Sequence, residues 1–205
     1  MMTDKLIGAV IAAVLVQTAC LPVFAGGSNT NPIIISTSVD GTLTLTVAMR
    51  KNSPNGPLVP AMDFGILQSR GNSLVSSEAG STGTGAIHMF ISANSHGVPY
   101  TVTQTGTALS NGTTTLPAGA CNVVPVYSAN VNGGLPMPAG ASLGTAGSWI
   151  AVNKTLYTSG PTGALRTFEA YYSITDDPAA GATGSVPLFQ QAGNYSGTVT
   201  ITATT

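Results

Sequence analysis

The chain has 205 residues, with 6 Lys or Arg against 7 Asp or Glu, a formal net charge of −1 and only 6% charged residues. Soluble domains usually carry about 25% charged residues. So few basic side chains cannot neutralise a run of phosphates, which excludes a nucleic-acid-binding surface. The hydrophobic fraction of 43% argues against charge-driven disorder, and 25 Gly with 13 Pro favour strands separated by many turns.

Residues 1–25 have the pattern of an export signal peptide. Lys5 precedes an uninterrupted apolar run over residues 6–16, and Val23 and Ala25 put small residues three and one positions before the expected cleavage point. The apolar run is too short to cross about 30 Å of hydrocarbon as a helix. We therefore expect cleavage, export and no stable membrane span.

The two cysteines bear on processing and on the redox state of the exported chain. Cys20 leaves a lipoprotein signal open as an alternative, although Gln17 stands where such signals carry a Leu-like residue. Cleavage after residue 25 would leave Cys121 as the one thiol, so burial and strand pairing must hold the fold without an internal disulfide. We expect Cys121 to be buried, with an intermolecular disulfide as the alternative.

Alternation of apolar and polar residues with a period of two runs through the rest of the chain. Residues 41–50 (GTLTLTVAMR) and 197–203 (GTVTITA) have one apolar face, which predicts half-buried strands. Residues 86–93 (AIHMFISA) are apolar on both faces, which predicts a central strand. Other expected strands are residues 98–104, 123–127, 148–152 and 165–174. The pattern predicts an all-β sandwich, with residues 129–147 as a long excursion at one end.

An N-terminal extension, residues 26–40, precedes this sandwich domain of residues 41–205. It contains a β-prone segment in which Ile33, Ile35 and Val39 share one parity. Unpaired, such a segment would expose backbone groups and apolar side chains and would promote aggregation. Two interpretations stay open: a first strand of its own domain, or a strand that pairs with a neighbouring subunit by β-augmentation.

Several segments resemble the spore coat protein U domain, which the pilins of archaic chaperone-usher pili share. The similarity covers most of the chain after the export signal, through short motifs. These are residues 62–65 (MDFG), 87–93 (IHMFISA), 94–102 (NSHGVPYTV), 167–174 (TFEAYYSI) and 193–202 (GNYSGTVTIT). The sequence departs from the family at Ala93, where one of a pair of cysteines usually stands.

The resemblance implies an immunoglobulin-like sandwich that lacks its last strand and has a groove between its first and last strands. A periplasmic chaperone would fill the groove first, the N-terminal extension of the next copy would replace it, and an outer-membrane usher would export the fibre. By position, the donor strand would present Ile33, Ile35, Thr37 and Val39. The acceptor groove would be lined by Leu43, Leu45, Val47, Val199, Ile201 and Ala203.

The titratable residues do not form a recognisable catalytic or metal-binding pattern. We interpret His88 as a satisfied histidine in a buried or an edge strand position, His96 as a solvated turn residue, and residues 176–178 (DDP) as a turn. Trp149, Tyr171 and Tyr172 would suit a sugar-binding platform but are more typical of a core. We therefore expect no enzyme activity, no cofactor and no metal.

Two functions remain. The first is a secreted subunit of a surface fibre (fimbrium), assembled by donor-strand exchange and serving adhesion or biofilm formation. The alternative is a self-complemented, monomeric surface protein or adhesive module that binds a ligand, with or without a lipid anchor. They differ in whether residues 33–39 dock on their own domain or on another copy.

Overall fold

The protein, seen in a computed structural model, is an all-β sandwich, which confirms the fold class that the sequence predicts. The structure describes residues 43–51, 55–77 and 87–205, and the backbone of residues 18–19 and 35–39. The strands are β1 (Thr18–Ala19), β2 (Ile35–Val39), β3 (Leu43–Lys51), β4 (Leu67–Arg70), β5 (Ser73–Ser76), β6 (Ile87–Asn94), β7 (Thr101–Gly106), β8 (Cys121–Val126), β9 (Ser142–Leu143), β10 (Gly147–Ser148), β11 (Lys154–Thr158), β12 (Arg166–Ile174), β13 (Val186–Pro187) and β14 (Thr198–Thr204). Short 3-10 helices span Ala118–Ala120, Asn130–Asn132 and Pro178–Ala180.

Two antiparallel sheets form the layers of the sandwich. The six-stranded sheet has the order β10-β8-β12-β6-β3-β2, and the five-stranded sheet has the order β1-β14-β7-β11-β9. A small three-stranded sheet has the order β13-β5-β4. Strand β6 lies between β12 and β3, which confirms the prediction of a central strand for residues 86–93.

The core lies between the two large sheets and follows the sequence alternation. In β3 the residues Leu43, Leu45, Val47 and Met49 are buried, while the intervening residues are half-exposed. Aromatic side chains fill the centre, since one face of each strand supplies large apolar groups. The largest fully buried ones are Trp149, Tyr157, Tyr172, Tyr195, Phe64 and Phe168.

The loops gather at two opposite ends of the sandwich. We call the "junction end" the one formed by residues 95–100, 127–141 and 159–165, because β2 ends and β3 begins at this end. The Tyr100 hydroxyl donates to the carbonyl oxygen of Ala93 at 2.9 Å and ties the two sheets together at this end. The "far end" contains residues 107–117, 149–153 and 175–197.

The predicted strand over residues 148–152 is wrong for most of its length. Only Ser148 belongs to a strand, because the chain turns directly after it. The Trp149 amide donates to the Cys121 carbonyl, and the Ala151 amide donates back to the Trp149 carbonyl, both at 2.9 Å. Trp149 is fully buried, Ile150 packs partly buried against the core and Val152 is 78% exposed, so the apolar residues of this stretch do not form one strand face. Strands β4, β5 and β11 and the two-residue strands β9 and β13 were not predicted.

Candidate functional site at the β3–β14 edge

Strands β3 and β14 lie on the same side of the sandwich, one in each large sheet. Strand β3 pairs with β6 from Thr44 opposite Asn94 to Lys51 opposite Ile87. Strand β14 pairs with β7 from Val199 opposite Gly106 to Thr204 opposite Thr101. Cα atoms of β3 and β14 approach within 8 Å across the core. This side of the molecule is therefore where strands of the two large sheets approach each other.

Five of the six predicted acceptor residues belong to the hydrophobic core of the domain, and the sixth, Ala203, packs against it. Leu43, Leu45 and Val47 of β3 are buried, and Val199 and Ile201 of β14 are fully buried. Ala203 is half-buried and packs against the same core. The structure thus places in one core residues that are 152 to 160 positions apart in the sequence, although their role as a groove remains a prediction.

The predicted donor segment is paired with β3 of its own chain. Strand β2 runs antiparallel to β3, with Ile35 opposite Val47, Thr37 opposite Leu45 and Val39 opposite Leu43. Residues directly opposite each other in an antiparallel pair share a face of the sheet. The register therefore places positions 35, 37 and 39 on the core face of β3. Ile33 lies outside the described residues.

Strand β14 has only a short described partner on its outer side. Thr18 and Ala19 of β1 pair with Val199 and Thr198 at the start of β14. Beyond Val199, no described strand pairs with the side of β14 that faces away from β7. Backbone groups along such an edge are suited to pairing with an added strand. Residues 18–19 fall within the predicted export signal.

A buried polar pair lies on the outer face of the six-stranded sheet. Nδ1 of His88 lies 3.4 Å from Oε2 of Glu169, and both residues are buried. The ring of Tyr171 packs on His88 with centroids 4.2 Å apart. Burial, reinforced by the Glu169 carboxylate, raises the pKa of Tyr171 to about 12. His88 and Glu169 are hydrogen-bonding partners within the sheet, which confirms that His88 is a buried strand histidine.

The structure also places the other residues that the sequence analysis considered for binding or redox roles. His96 is exposed in a turn, and its amide donates to Oδ1 of Asn94. Trp149 and Tyr172 are fully buried with ring centroids 5.6 Å apart, so neither ring offers a face to a sugar. Cys121 is buried, as expected. Within the described ranges, no three His, Cys, Asp or Glu side chains are grouped to hold a metal ion.

Asp176 takes part in a polar cluster that the sequence did not indicate. Its carboxylate accepts hydrogen bonds from the Ser73 hydroxyl and the Arg70 guanidinium, two residues of the β4–β5 hairpin. The bond from Ser73 and then that from Arg70 lower the pKa of Asp176 below its ordinary value. Asp177 instead caps the 3-10 helix Pro178–Ala180 by accepting from the Ala179 amide. The cluster fixes the hairpin to the end of β12.

Sequence reasoning also missed two apolar residues that face solvent. Leu188 is 51% exposed and Phe189 is 90% exposed in the loop after β13. They stand in a run without alternation, so no periodic signal distinguishes them from core residues. Their exposure follows from the turn over residues 187–190.

Comparisons with known proteins did not identify a relative. No protein-family model, no curated protein and no solved structure matched the chain. Across the part of the chain that the structure describes, no helix has the length and apolar character needed to span a membrane.

Proposed function

We propose that this protein is the structural subunit of an extracellular fibre, a pilus assembled by donor-strand exchange that serves adhesion or biofilm formation. The β3–β14 edge is the observation that carries the proposal. There, β3 and β14 of two different sheets lie beside one apolar core, β14 has no described outer partner beyond Val199, and a β-prone segment immediately precedes the domain. A strand supplied by another copy would pair with β14 and complete the sandwich.

The free energy of pairing a donor strand with the acceptor domain of another copy is favourable. The donor strand would bury Ile33, Ile35 and Val39, and burial of a medium apolar side chain contributes roughly 1.5–3 kcal/mol. Each backbone hydrogen bond in the new ladder adds about 1 kcal/mol. Together these terms would hold copies in a fibre without a disulfide.

Export would prepare the acceptor edge. Cleavage after residue 25 would remove β1, and among the described strands β14 would then pair only with β7. An edge exposed in this way needs protection against aggregation during transit. The resemblance to archaic pilins implies a periplasmic chaperone for that role. It also implies an outer-membrane usher that assembles the fibre from copies of this chain or related pilins at the cell surface.

One observation favours a second function. Strand β2 pairs with β3 of the same chain, and positions 35, 37 and 39 lie opposite the buried residues of β3. A domain that keeps this pairing in solution would be a self-complemented monomer, working as a surface protein or an adhesive module. The two functions differ in whether β2 leaves its own β3.

The experiment compares the chain of residues 26–205 with the chain of residues 41–205, which lacks β2. Size-exclusion chromatography, negative-stain microscopy and unheated SDS electrophoresis measure assembly. The fibre function predicts fibres and an SDS-resistant ladder from residues 26–205, and no ladder after the deletion. A monodisperse monomer from residues 26–205 that unfolds on deletion would reject the fibre and support the self-complemented protein.

A further inference from the structure

We infer that successive copies in the fibre also touch through their ends, with Phe189 at the far end of one copy packed on apolar loops at the junction end of the next. This inference rests on the proposed function. It assigns a head-to-tail interface to residues outside the donor strand and the groove. The partner is a second copy of this chain.

Phe189 is displayed by a rigid turn. Leu188 and Phe189 form the corner of a turn closed by the Gln190 amide, which donates to the Pro187 carbonyl at 3.0 Å. The side-chain amide of Gln190 donates to the Tyr195 hydroxyl at 2.8 Å, close to the start of β14. Because the turn is held on both sides, the Phe189 ring needs little ordering before it binds. Phe189 is 90% exposed and its neighbour Leu188 is 51% exposed, so the turn presents two adjacent apolar side chains to solvent.

Each of three loops at the junction end exposes an apolar side chain. Val98 is 45% exposed, Leu135 51% and Leu165 54%. Hydrogen bonds hold these loops to β12 and to each other. The Asn132 side-chain amide donates to the Thr167 carbonyl at 2.7 Å, and the Ser95 hydroxyl donates to the Gly163 carbonyl at 3.3 Å.

The direction of the strands determines which ends of two successive copies meet. Strand β14 runs from the far end to the junction end, and both of its described partners are antiparallel to it. A donor strand antiparallel to β14 would run from the acceptor's junction end to its far end, so donor residue 39 would lie at the acceptor's far end. Residue 39 lies at the donor's own junction end, opposite Leu43. The donor's junction end therefore meets the acceptor's far end, where Phe189 projects.

The contact is heterologous, because two different surfaces of the same chain meet. Such contacts propagate into open filaments when the rotation between copies does not close. One aromatic anchor on a few loops makes a small interface, which would be weak between separate molecules. Within the fibre the exchanged strand holds the two ends together, so the effective concentration makes a weak contact significant.

The test removes strand exchange from the measurement. Ser36 and Thr46 are directly opposite in the β2–β3 pair, so Ser36→Cys with Thr46→Cys permits a disulfide that locks β2 on its own β3. Both partners in the test carry this lock. A ¹⁵N-labelled chain with Phe189→Asp keeps an intact junction end. It is titrated to millimolar concentration with an unlabelled chain that carries Leu135→Asp and keeps Phe189.

The expected result is a set of amide shift changes confined to residues 95–100, 127–141 and 159–165 of the labelled chain. The changes are lost when the titrant carries Phe189→Asp as well. They persist when the titrant instead carries Thr155→Asp, which adds the same charge on an exposed strand position.

Absence of shifts, shifts elsewhere, or shifts that survive Phe189→Asp in the titrant would overturn the end-to-end contact. None of these outcomes depends on strand exchange. The SDS-resistant ladder of the unlocked chain tests the fibre itself, so failure of the fibre and failure of this contact are separate results.

Discussion

The Tyr172 hydroxyl donates a hydrogen bond to Oε1 of Gln104, and this bond joins the two large sheets inside the core. Both residues are fully buried. Nε2 of Gln104 in turn donates to the Trp149 carbonyl at 3.1 Å. A buried amide is tolerated in an apolar core only when its polar atoms have such partners.

Replacement of Tyr172 by Phe should destabilise the domain by about 1–3 kcal/mol, because Oε1 of Gln104 is left buried without this donor. Urea unfolding should show a lower midpoint with an unchanged slope. Tyr127→Phe is the matched control, since the Tyr127 hydroxyl lies 3.0 Å from two carbonyl oxygens at an exposed site. Equal midpoints for the two variants would contradict the importance of the Gln104–Tyr172 bond.

Gly163 shapes the loop that precedes β12 at the junction end. Its φ of +53° is left-handed, and an added Cβ would clash with the Val98 carbonyl and the Ser95 hydroxyl. Gly71 has a similar φ of +62° with open space around it. Gly71→Ala should therefore cost only the backbone strain of about 1–2 kcal/mol. Gly163→Ala should lower the free energy of unfolding further, as urea titration would measure, and equal losses would show that the loop relaxes.

Asp176 should make the stability of the domain depend on pH. Its pKa is lowered in the folded state, so its bonds to Ser73 and Arg70 stabilise the fold above the ordinary carboxyl pKa of 3.8. That contribution is lost as the pH falls through the folded-state value. Between about pH 7 and pH 3, Asp176→Asn should lose less stability than the wild type in urea titrations. Ser73→Ala should show an intermediate loss, and identical pH profiles for all three proteins would refute the assignment.

The strands that the sequence predicts well are those with one buried face. Strands β3 and β14 alternate because one side of each packs on the core, and the alternation places the six predicted acceptor residues on that side, although their role in a groove is implied by the family resemblance. Strand β11 escaped prediction because two successive residues, Leu156 and Tyr157, are both buried around a register shift. A bulge of this kind breaks the period of two.

The candidate site was only partly accessible to sequence reasoning. Alternation indicates which residues face the core, whereas the acceptor groove was implied by the family resemblance, and neither says which copy supplies the strand that would cover it. Exposed residues such as Phe189 have no periodic signature at all, since their position depends on the Pro187–Gln190 turn and its bond to Tyr195. The copy that supplies the strand and the exposure of Phe189 both depend on contacts between residues that are distant in the sequence.

The parity of the donor strand gives the sharpest prediction about assembly. Ile35 stands opposite the buried Val47, while Ser36 stands opposite the half-exposed Thr46. Ile35→Asp would place a carboxylate on the core side of any sandwich that receives the strand, whereas Ser36→Asp would place the same charge on the other face. Burial of an unpaired carboxylate is strongly unfavourable.

In the fibre function, Ile35→Asp should abolish the SDS-resistant ladder of residues 26–205, and Ser36→Asp should leave it intact. A mixture with wild-type chains should give shortened fibres, because an Ile35→Asp copy accepts a donor strand through its intact β14 edge but donates none. Negative-stain microscopy measures fibre length against the fraction of variant. Unchanged length at every ratio, with Ile35→Asp merely less stable as a monomer, would mean that β2 serves its own domain and that donor-strand exchange does not occur.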